Sequence, residues 1–282
     1  MKKLFAIAAY CMFSVLLFSQ ENEEKKYALS TVNSSVGVSL IQLSDPYLSP
    51  INYNGIGVNN KYESRSYLKP EDTNLSVHLS ANDIYALTSN PTGTALIAYL
   101  AGNLGCGLSY HIRPKSGLQI LLGGLWDLEG GLKLNDRNVN NPFNMDLATN
   151  LNATARMNYN FRLFRKNMSL NIAIQTPLIG CMFVPPRGAS YYEIMNKGDF
   201  SNTLHFSSLH NRQGLRQMFV IEIPSKNTTT RIGFDINELK YKANDMIFSN
   251  SQIGFTIGST FDMATFMGTK NPAPKNFIST KE

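Results

Sequence analysis

Apolar and polar residues alternate with a period of two over most of this chain, and the alternating runs are long. The clearest places Leu118, Ile120, Leu122, Gly124, Trp126, Leu128, Gly130, Leu132 and Leu134 on one face, with Gln119, Asp127, Glu129 and Lys133 between them. Leu121 and Leu125 interrupt that pattern. The next run sets Leu147, Thr149, Leu151, Ala153, Ala155, Met157, Tyr159, Phe161 and Leu163 against Asn150, Asn152, Thr154, Arg156, Asn158, Asn160 and Arg162. Each run covers about 17 residues, where an ordinary strand has about 5–6. Length discriminates here more than alternation, because soluble sandwiches also alternate but with shorter strands. A transmembrane strand needs about 9–11 residues to cross, with extensions beyond the bilayer.

Other segments follow the same rule. Leu96 to Ile112, Met168 to Leu178, Leu215 to Ile223, Ile232 to Ile236 and Ile247 to Phe261 each carry a period-two apolar face, and weaker strands fall near 34–42, 51–66 and 73–88. Short polar links at Arg113 to Gly117, Arg165 to Asn167 and Ser225 to Asn227 alternate with longer ones at Leu43 to Pro50, Ser89 to Gly93, Asn135 to Met145 and Cys181 to Gly214. Barrels of the outer membrane have short periplasmic turns and longer extracellular loops. The pattern therefore predicts an all-β, antiparallel transmembrane barrel of about ten strands. A hairpin around Thr203 to Ser208 would raise the number to twelve. The final outside turn, at Asn244, is tight and fits the long-loop rule least well.

The amino terminus has a different character. Lys2 and Lys3 precede an apolar run from Leu4 to Phe18, followed by Ser19, Gln20 and the charged run Glu21 to Lys26, the layout of a secretory signal peptide. The run is short for a membrane-spanning helix. The expected organisation is a signal peptide over 1–19, a periplasmic segment over 20–33, the barrel over 34–267 and a polar tail over 268–282. Loss of Lys2 and Lys3 lowers the formal charge from +6 to +4. No basic block interleaved with aromatics appears, which argues against nucleic acid as a partner. Charged residues make up only 16% of the chain, below the roughly 25% of soluble domains, as expected if half of each strand faces hydrocarbon. Cys106 and Cys181 remain after export and are too few for a disulfide framework.

Candidate chemistry is sparse. Asp127, Glu129, Arg156, Arg162, Arg216, Glu222, Arg231 and Asp235 occupy polar positions of the expected strands, so they form either an ion-selective constriction or a mutually neutralising network that fills a narrow bore. The network is the expectation. Tyr191, Tyr192, Glu193, His205 and His210 in the loop 181–214 are candidates for extracellular contacts. Ser207 and Ser208 lie near histidines but lack a nucleophile motif, so no enzymatic activity is expected. Asp136 and Asp146 flank an Asn-rich turn without calcium-loop spacing, and the histidines show no zinc spacing. No cofactor or metal is expected.

The motifs DPYLSPINYNG (45–55), NVNNPFN (138–144), PLIGCMF (177–183), SYYEI (190–194) and IGFTIGS (253–259), taken in order, resemble a Bacteroidota family of uncharacterised outer-membrane β-barrels, catalogued as a domain of unknown function. The resemblance implies an outer-membrane barrel of a Gram-negative bacterium and assigns no catalytic residue. Lipid and the barrel-insertion machinery are then the expected partners, beside an unidentified surface ligand. The function expected is structural or surface interaction, with a narrow transport channel as the alternative. A secreted soluble β-protein that binds glycan or protein is a third reading. One departure stands out: Phe261 or Phe266 is followed by a polar tail, whereas many such barrels end on the aromatic residue of their last strand.

Overall fold

The computed structural model describes residues 27–263, except 70, 71, 140, 164, 199, 201, 226 and 227, together with 277, 278 and 280. The expected signal peptide lies outside these residues. In chain order the elements are β1 (Tyr27–Ala28), β2 (Ser30–Ser44), β3 (Asn52–Lys69), β4 (Asp72–Ser89), β5 (Leu96–Lys115), β6 (Leu118–Asn135), β7 (Phe143–Leu163) and β8 (Lys166–Phe183). There follow α1 (Tyr191–Lys197), β9 (Leu204–Ser208), β10 (Arg212–Pro224), β11 (Thr229–Ala243), β12 (Met246–Met263) and β13 (Phe277–Ile278).

Strands β2 to β8 pair in sequence order, β8 pairs with β10, and β10, β11 and β12 continue the ladder. Antiparallel pairing of β12 with β2, from Ser249↔Ser44 to Met263↔Ser30, closes the cylinder. The result is an all-β barrel of ten antiparallel strands. Closure of a meander by antiparallel neighbours requires an even number, and it leaves no free sheet edge. No helix among the described residues is long and apolar enough to cross a membrane; α1 has 7 residues.

Strand register sorts the side chains. Val38, Leu40, Ile56, Leu87, Leu104, Leu122, Trp126, Leu128, Leu151, Ile221, Phe234 and Phe255 all point outward and are exposed. A surface of this composition is costly in water and favourable in hydrocarbon, where the paired backbone of a closed ladder is also required. Leu121 and Leu125, the interruptions in the β6 pattern, face inward and are each 2% exposed.

The observed boundaries correct several expectations. Residues 30–33 belong to β2 and not to a preceding segment; the expected end of the barrel at 267 lies outside the described residues. Cys181 lies on β8 with its side chain exposed, so the long connection starts only after Phe183. The segment near Thr203 to Ser208 makes no hairpin. Strand β9 pairs with the upper part of β8, Ile179↔Ser208 to Phe183↔Leu204, while β10 pairs with the lower part, Gln175↔Arg216 to Ser169↔Glu222.

Between these two ladders Thr176 to Leu178 have no registered partner on this side, and the chain makes a turn over 209–211. Pro177 has no N–H to give, and a register shift in the β7–β8 ladder sits at the same height, where Leu151 and Asn152 meet Ile179 and Pro177. The seam is bridged by Thr176 Oγ1, which donates to Gly214 O at 2.9 Å.

One end of the barrel has tight connections and the other has loops. Gly117, with φ +79°, turns β5 into β6 at the tight end. At the loop end Asn244 and Asp245 both have positive φ, the pair of left-handed residues that a two-residue hairpin favours. At the tight end β1 pairs in parallel with β13, and Thr280 is buried with its Oγ1 2.8 Å from Thr31 Oγ1. Part of the carboxyl-terminal tail therefore folds back against the barrel.

The orientation of β6 is directly testable. Leu122→Arg on the outer face should cost about 2–4 kcal/mol if it meets the bilayer midplane. Urea unfolding in lipid vesicles measures this, and an unchanged midpoint would contradict the assigned face.

Candidate functional site

The lumen is layered, and its chemistry changes along the barrel axis. At the loop end the inward positions are apolar: Leu43 on β2, Tyr53 on β3, Ile97 on β5, Met182 on β8, Tyr241 on β11 and Phe248 on β12 form one buried cluster. Tyr241 and Phe248 stack with ring centroids 4.7 Å apart. Tyr47 and Leu48, from the link between β2 and β3, and Tyr191 from α1 complete the cluster. Tyr191 stacks on Phe143 at 4.5 Å and meets Tyr47 edge-on at 5.7 Å.

The helix that carries Tyr191 starts with a capping box. Ser190 Oγ accepts from Glu193 N at 3.2 Å, and the Glu193 carboxylate accepts from Ser190 N at 3.1 Å. Gly198 ends it in the left-handed conformation, with φ +63°. A cap of this kind contributes about 1 kcal/mol. It orients a helix of about two turns so that Tyr191 enters the barrel while Tyr192 stays outside.

A buried ionic group pins this plug. Lys133 Nζ lies 3.0 Å from Asp45 Oδ2 and 2.8 Å from Asp146 Oδ2. Asn144 Nδ2 donates to Asp45 at 2.8 Å, Tyr241 OH donates to Asp146 at 2.9 Å, and Tyr191 OH donates to Asn144 Oδ1 at 2.6 Å. Asp45 Oδ1 also accepts from the backbone N–H groups of Tyr47 and Leu48. One lysine on β6 thus fastens the first loop and, through Asn144, the long loop. Burial, reinforced by the Asp45 and Glu193 carboxylates, pushes the Tyr47 hydroxyl up to about 12. The Tyr191 hydroxyl is raised as well, chiefly by burial.

Beneath the plug lies a cavity of about 220 Å³ whose lining includes Lys61, Glu129, Arg216 and Asp235. The sequence-derived charges meet around it in pairs. Arg216 contacts Asp127 at 3.2 Å and Glu129 at 2.7 Å, and Arg212 also binds Glu129. Lys61 contacts Asp235 at 2.7 Å. Nearer the tight end Arg156 grips Glu63 through both terminal nitrogens, at 2.8 and 3.2 Å, and Arg231 Nε lies 3.6 Å from Glu222. Space is made by missing side chains: a Cβ on Gly254 would stand 2.4 Å from Ser39 Oγ, whose hydroxyl accepts from Asn59 at 2.6 Å.

Arg162 is an exception. It is exposed at the tight end of β7, paired with Asn167 beside the turn, and stands apart from these contacts. Sequence reading missed Lys61, Glu63, Lys133, Asp146 as an ion-pair partner, and Arg212. Alternation assigns Lys61, Glu63 and Lys133 to the inward set, but no local motif says which charges meet across the bore.

The candidate loop contacts divide. Tyr191 is buried in the plug, so it is not a surface contact. Tyr192 is 75% exposed, Glu193 serves the helix cap, His205 is half-buried and His210 is exposed. His205 Nε2 lies 2.9 Å from Asn202 O, and His210 Nδ1 lies 2.6 Å from Ser208 Oγ. Asp136 accepts from Leu96 N at 2.8 Å, which makes it a turn constraint. No group of residues that could hold a metal ion occurs among the described residues.

An apolar exterior, a ladder that closes on itself and an interior plugged at the loop end and crossed by ion pairs define a closed β-barrel of the outer-membrane type. The chain belongs to the family described as a protein of unknown function (DUF3316), which matches residues 4–270. No curated protein matches it. Solved structures similar to it include the outer membrane protease OmpT from Escherichia coli, at 7% identity and a TM-score of 0.45 over 87% of this chain and 99% of that one. The transport unit of the autotransporter AIDA-I from Escherichia coli matches at 12% identity and a TM-score of 0.40, covering 90% and 97%. Ail, the attachment invasion locus protein of Yersinia pestis, matches at 9% and 0.28, covering 83% and 99%. At these values none of them says what this chain binds or does.

Two measurements probe the plug. Lys133→Met leaves Asp45 and Asp146 buried without their cation and should destabilise the protein by about 3–5 kcal/mol; urea unfolding would read this, with faster proteolysis within 184–203. A loss below 1 kcal/mol would mean that Lys133 does not hold the loops. Because the folded state keeps the Tyr47 proton that the unfolded chain releases above about pH 10, this residue's contribution to stability is intact below pH 10 and falls as pH rises toward about 12. Tyrosinate absorbance with and without Tyr47→Phe would show whether this hydroxyl titrates late.

Proposed function

We propose that this protein is an outer-membrane barrel, exported by its signal peptide, that works at the cell surface as a structural or interaction protein and does not pass solutes through its bore. The observation that carries this reading is the plug: apolar side chains from at least six strands, sealed by Tyr47, Leu48 and Tyr191, close the lumen at the loop end. Beneath it most charges meet a partner across the bore, Arg216 with Asp127 and Glu129, Arg212 with Glu129, Lys61 with Asp235 and Arg156 with Glu63, which braces a bore more than it lines a path for ions. The apolar outer belt supports the membrane location, and the resemblance of the ordered motifs to a Bacteroidota barrel family is what suggests that lineage and insertion by the barrel-assembly machinery.

The loop end supports the surface role. Val139, Tyr192, Met195 and Phe200 are large apolar residues left exposed there, Val139 at 91%. Such groups beyond a lipid belt mark a surface that contacts something else.

Purified protein in planar bilayers should show no steady ion conductance; a stable open channel would overturn this reading. For location and orientation, Tyr192→Cys in intact cells should react with a membrane-impermeant maleimide while the wild-type protein, whose described cysteines, Cys106 and Cys181, lie on the outer wall and whose Cys11 falls in the expected signal peptide, should not. Absence of labelling in cells but labelling after lysis would place the loop end on the inner side. Recovery of the protein in soluble form would remove the membrane assignment.

A further inference from the structure

The floor of the lumen cavity holds buried donors that the protein itself leaves without acceptors. Arg65 on β3, His78 on β4 and Arg231 on β11 occupy inward positions. Among the described residues Arg65 Nε, His78 Nε2 and Arg231 Nη1 are buried without a hydrogen-bond partner. Arg65 and His78 are paired across β3 and β4, and both line the cavity of about 220 Å³. Arg231, only 4% exposed, does not line the cavity itself but lies close enough to Arg65 for their charges to interact, as does the cavity-lining Arg156.

The nearby carboxylates are already engaged. Glu63 is held by both terminal nitrogens of Arg156, accepts from Asn33 at 3.3 Å, and is 3.8 Å from His78 Nε2. Glu222 accepts from Ser169 and Thr260 and sits 3.6 Å from Arg231. Asp262, toward the tight end, is exposed and accepts from Thr31 at 2.8 Å. Asp235, also buried and near Arg231, is taken by Lys61 at 2.7 Å, so three guanidinium groups are left to share Glu63 and Glu222, and among the described residues Arg65 has no ion-pair partner of its own. Native proteins rarely leave buried donors unpaired, because each forfeits its hydration without a replacement bond. Water could accept from the nitrogens, but it cannot balance the extra charge.

We propose that the cavity floor binds a small oxyanion, a phosphate, sulfate or carboxylate, with the Arg65 guanidinium as its main donor and Arg231 and His78 completing the shell. A guanidinium fork matches the paired oxygens of such groups. His78 donates here as the Nε2–H tautomer, and the cavity has room for the anion and several waters. The anion would supply the missing negative charge between β3, β4 and β11 and tie together strands that no side-chain ion pair joins through Arg65.

The test is calorimetric titration of the full chain, folded in detergent micelles, with inorganic phosphate at constant ionic strength set by chloride. Saturable binding is expected, and Arg65→Gln and Arg231→Gln should each weaken it by about tenfold or more. Arg65→Lys, which keeps the charge but not the fork, should fall between wild type and Arg65→Gln and serves if the Gln variant does not fold. Lys240→Gln, on the outer face of β11, should bind as wild type does. Acetate competing as well as phosphate would assign a carboxylate ligand, and phosphate binding without acetate competition a tetrahedral one; both support the site. No saturable phosphate binding by wild type, or unchanged binding by Arg65→Gln, overturns it.

Discussion

Every other feature of this molecule depends on the closure of one hydrogen-bonded ladder. In hydrocarbon a backbone N–H or C=O that lacks a partner costs several kcal/mol, so a sheet is tolerated there only without edges. The pairing of β12 with β2 over fifteen registered positions, from Ser249↔Ser44 to Met263↔Ser30, removes the last two edges. Once the cylinder is closed, the pleat sends alternate side chains to lipid and to the bore, and everything polar on the strands must be reconciled inside.

That reconciliation is achieved with few residues that are charged and many that are small or neutral. Lys133, Arg156, Arg212 and Arg216 each meet a carboxylate from another strand or loop. Pairs of this kind are weak contributors to net stability, because desolvation offsets most of their attraction. They are nonetheless specific, since breaking one leaves its partner buried and unpaired. The upper bore uses a different solution, an apolar core resembling that of a soluble protein, and this core is where the loops are attached. Glu63, Arg65 and Arg231 lie at the opposite end, where charge is not fully balanced.

The ladder has one defect, the seam at Thr176 to Leu178, and its cause can be read in covalent chemistry. Pro177 cannot donate, so a partner strand running straight past it would leave a carbonyl unpaired. The chain instead leaves β8 after Ser208, turns through 209–211 and rejoins at Arg216, while Thr176 Oγ1 supplies a replacement donor to Gly214 O. That turn accounts for the division of one wall strand into β9 and β10, and it explains why the segment near Thr203 to Ser208 adds no strands to the count.

Alternation in the sequence by itself located the strands approximately and gave the barrel class, because it is a local property dictated by the pleat and by which face meets lipid; it left ten and twelve strands open, and the pairing of both β9 and β10 with β8 decided for ten. Alternation also assigned Asp127, Glu129, Arg156, Arg216, Glu222, Arg231 and Asp235 to the inward face of their strands. The tertiary structure alone decided which of these charges meet, because partners such as Asp45 and Lys133 are 88 residues apart and come together only when the barrel curls on itself. It also decided that Leu121 and Leu125 are interior, that Tyr191 enters the bore while its neighbour Tyr192 does not, and that Arg162 stands outside the paired network. Those outcomes depend on bore width, shear and loop path, which no run of consecutive residues encodes.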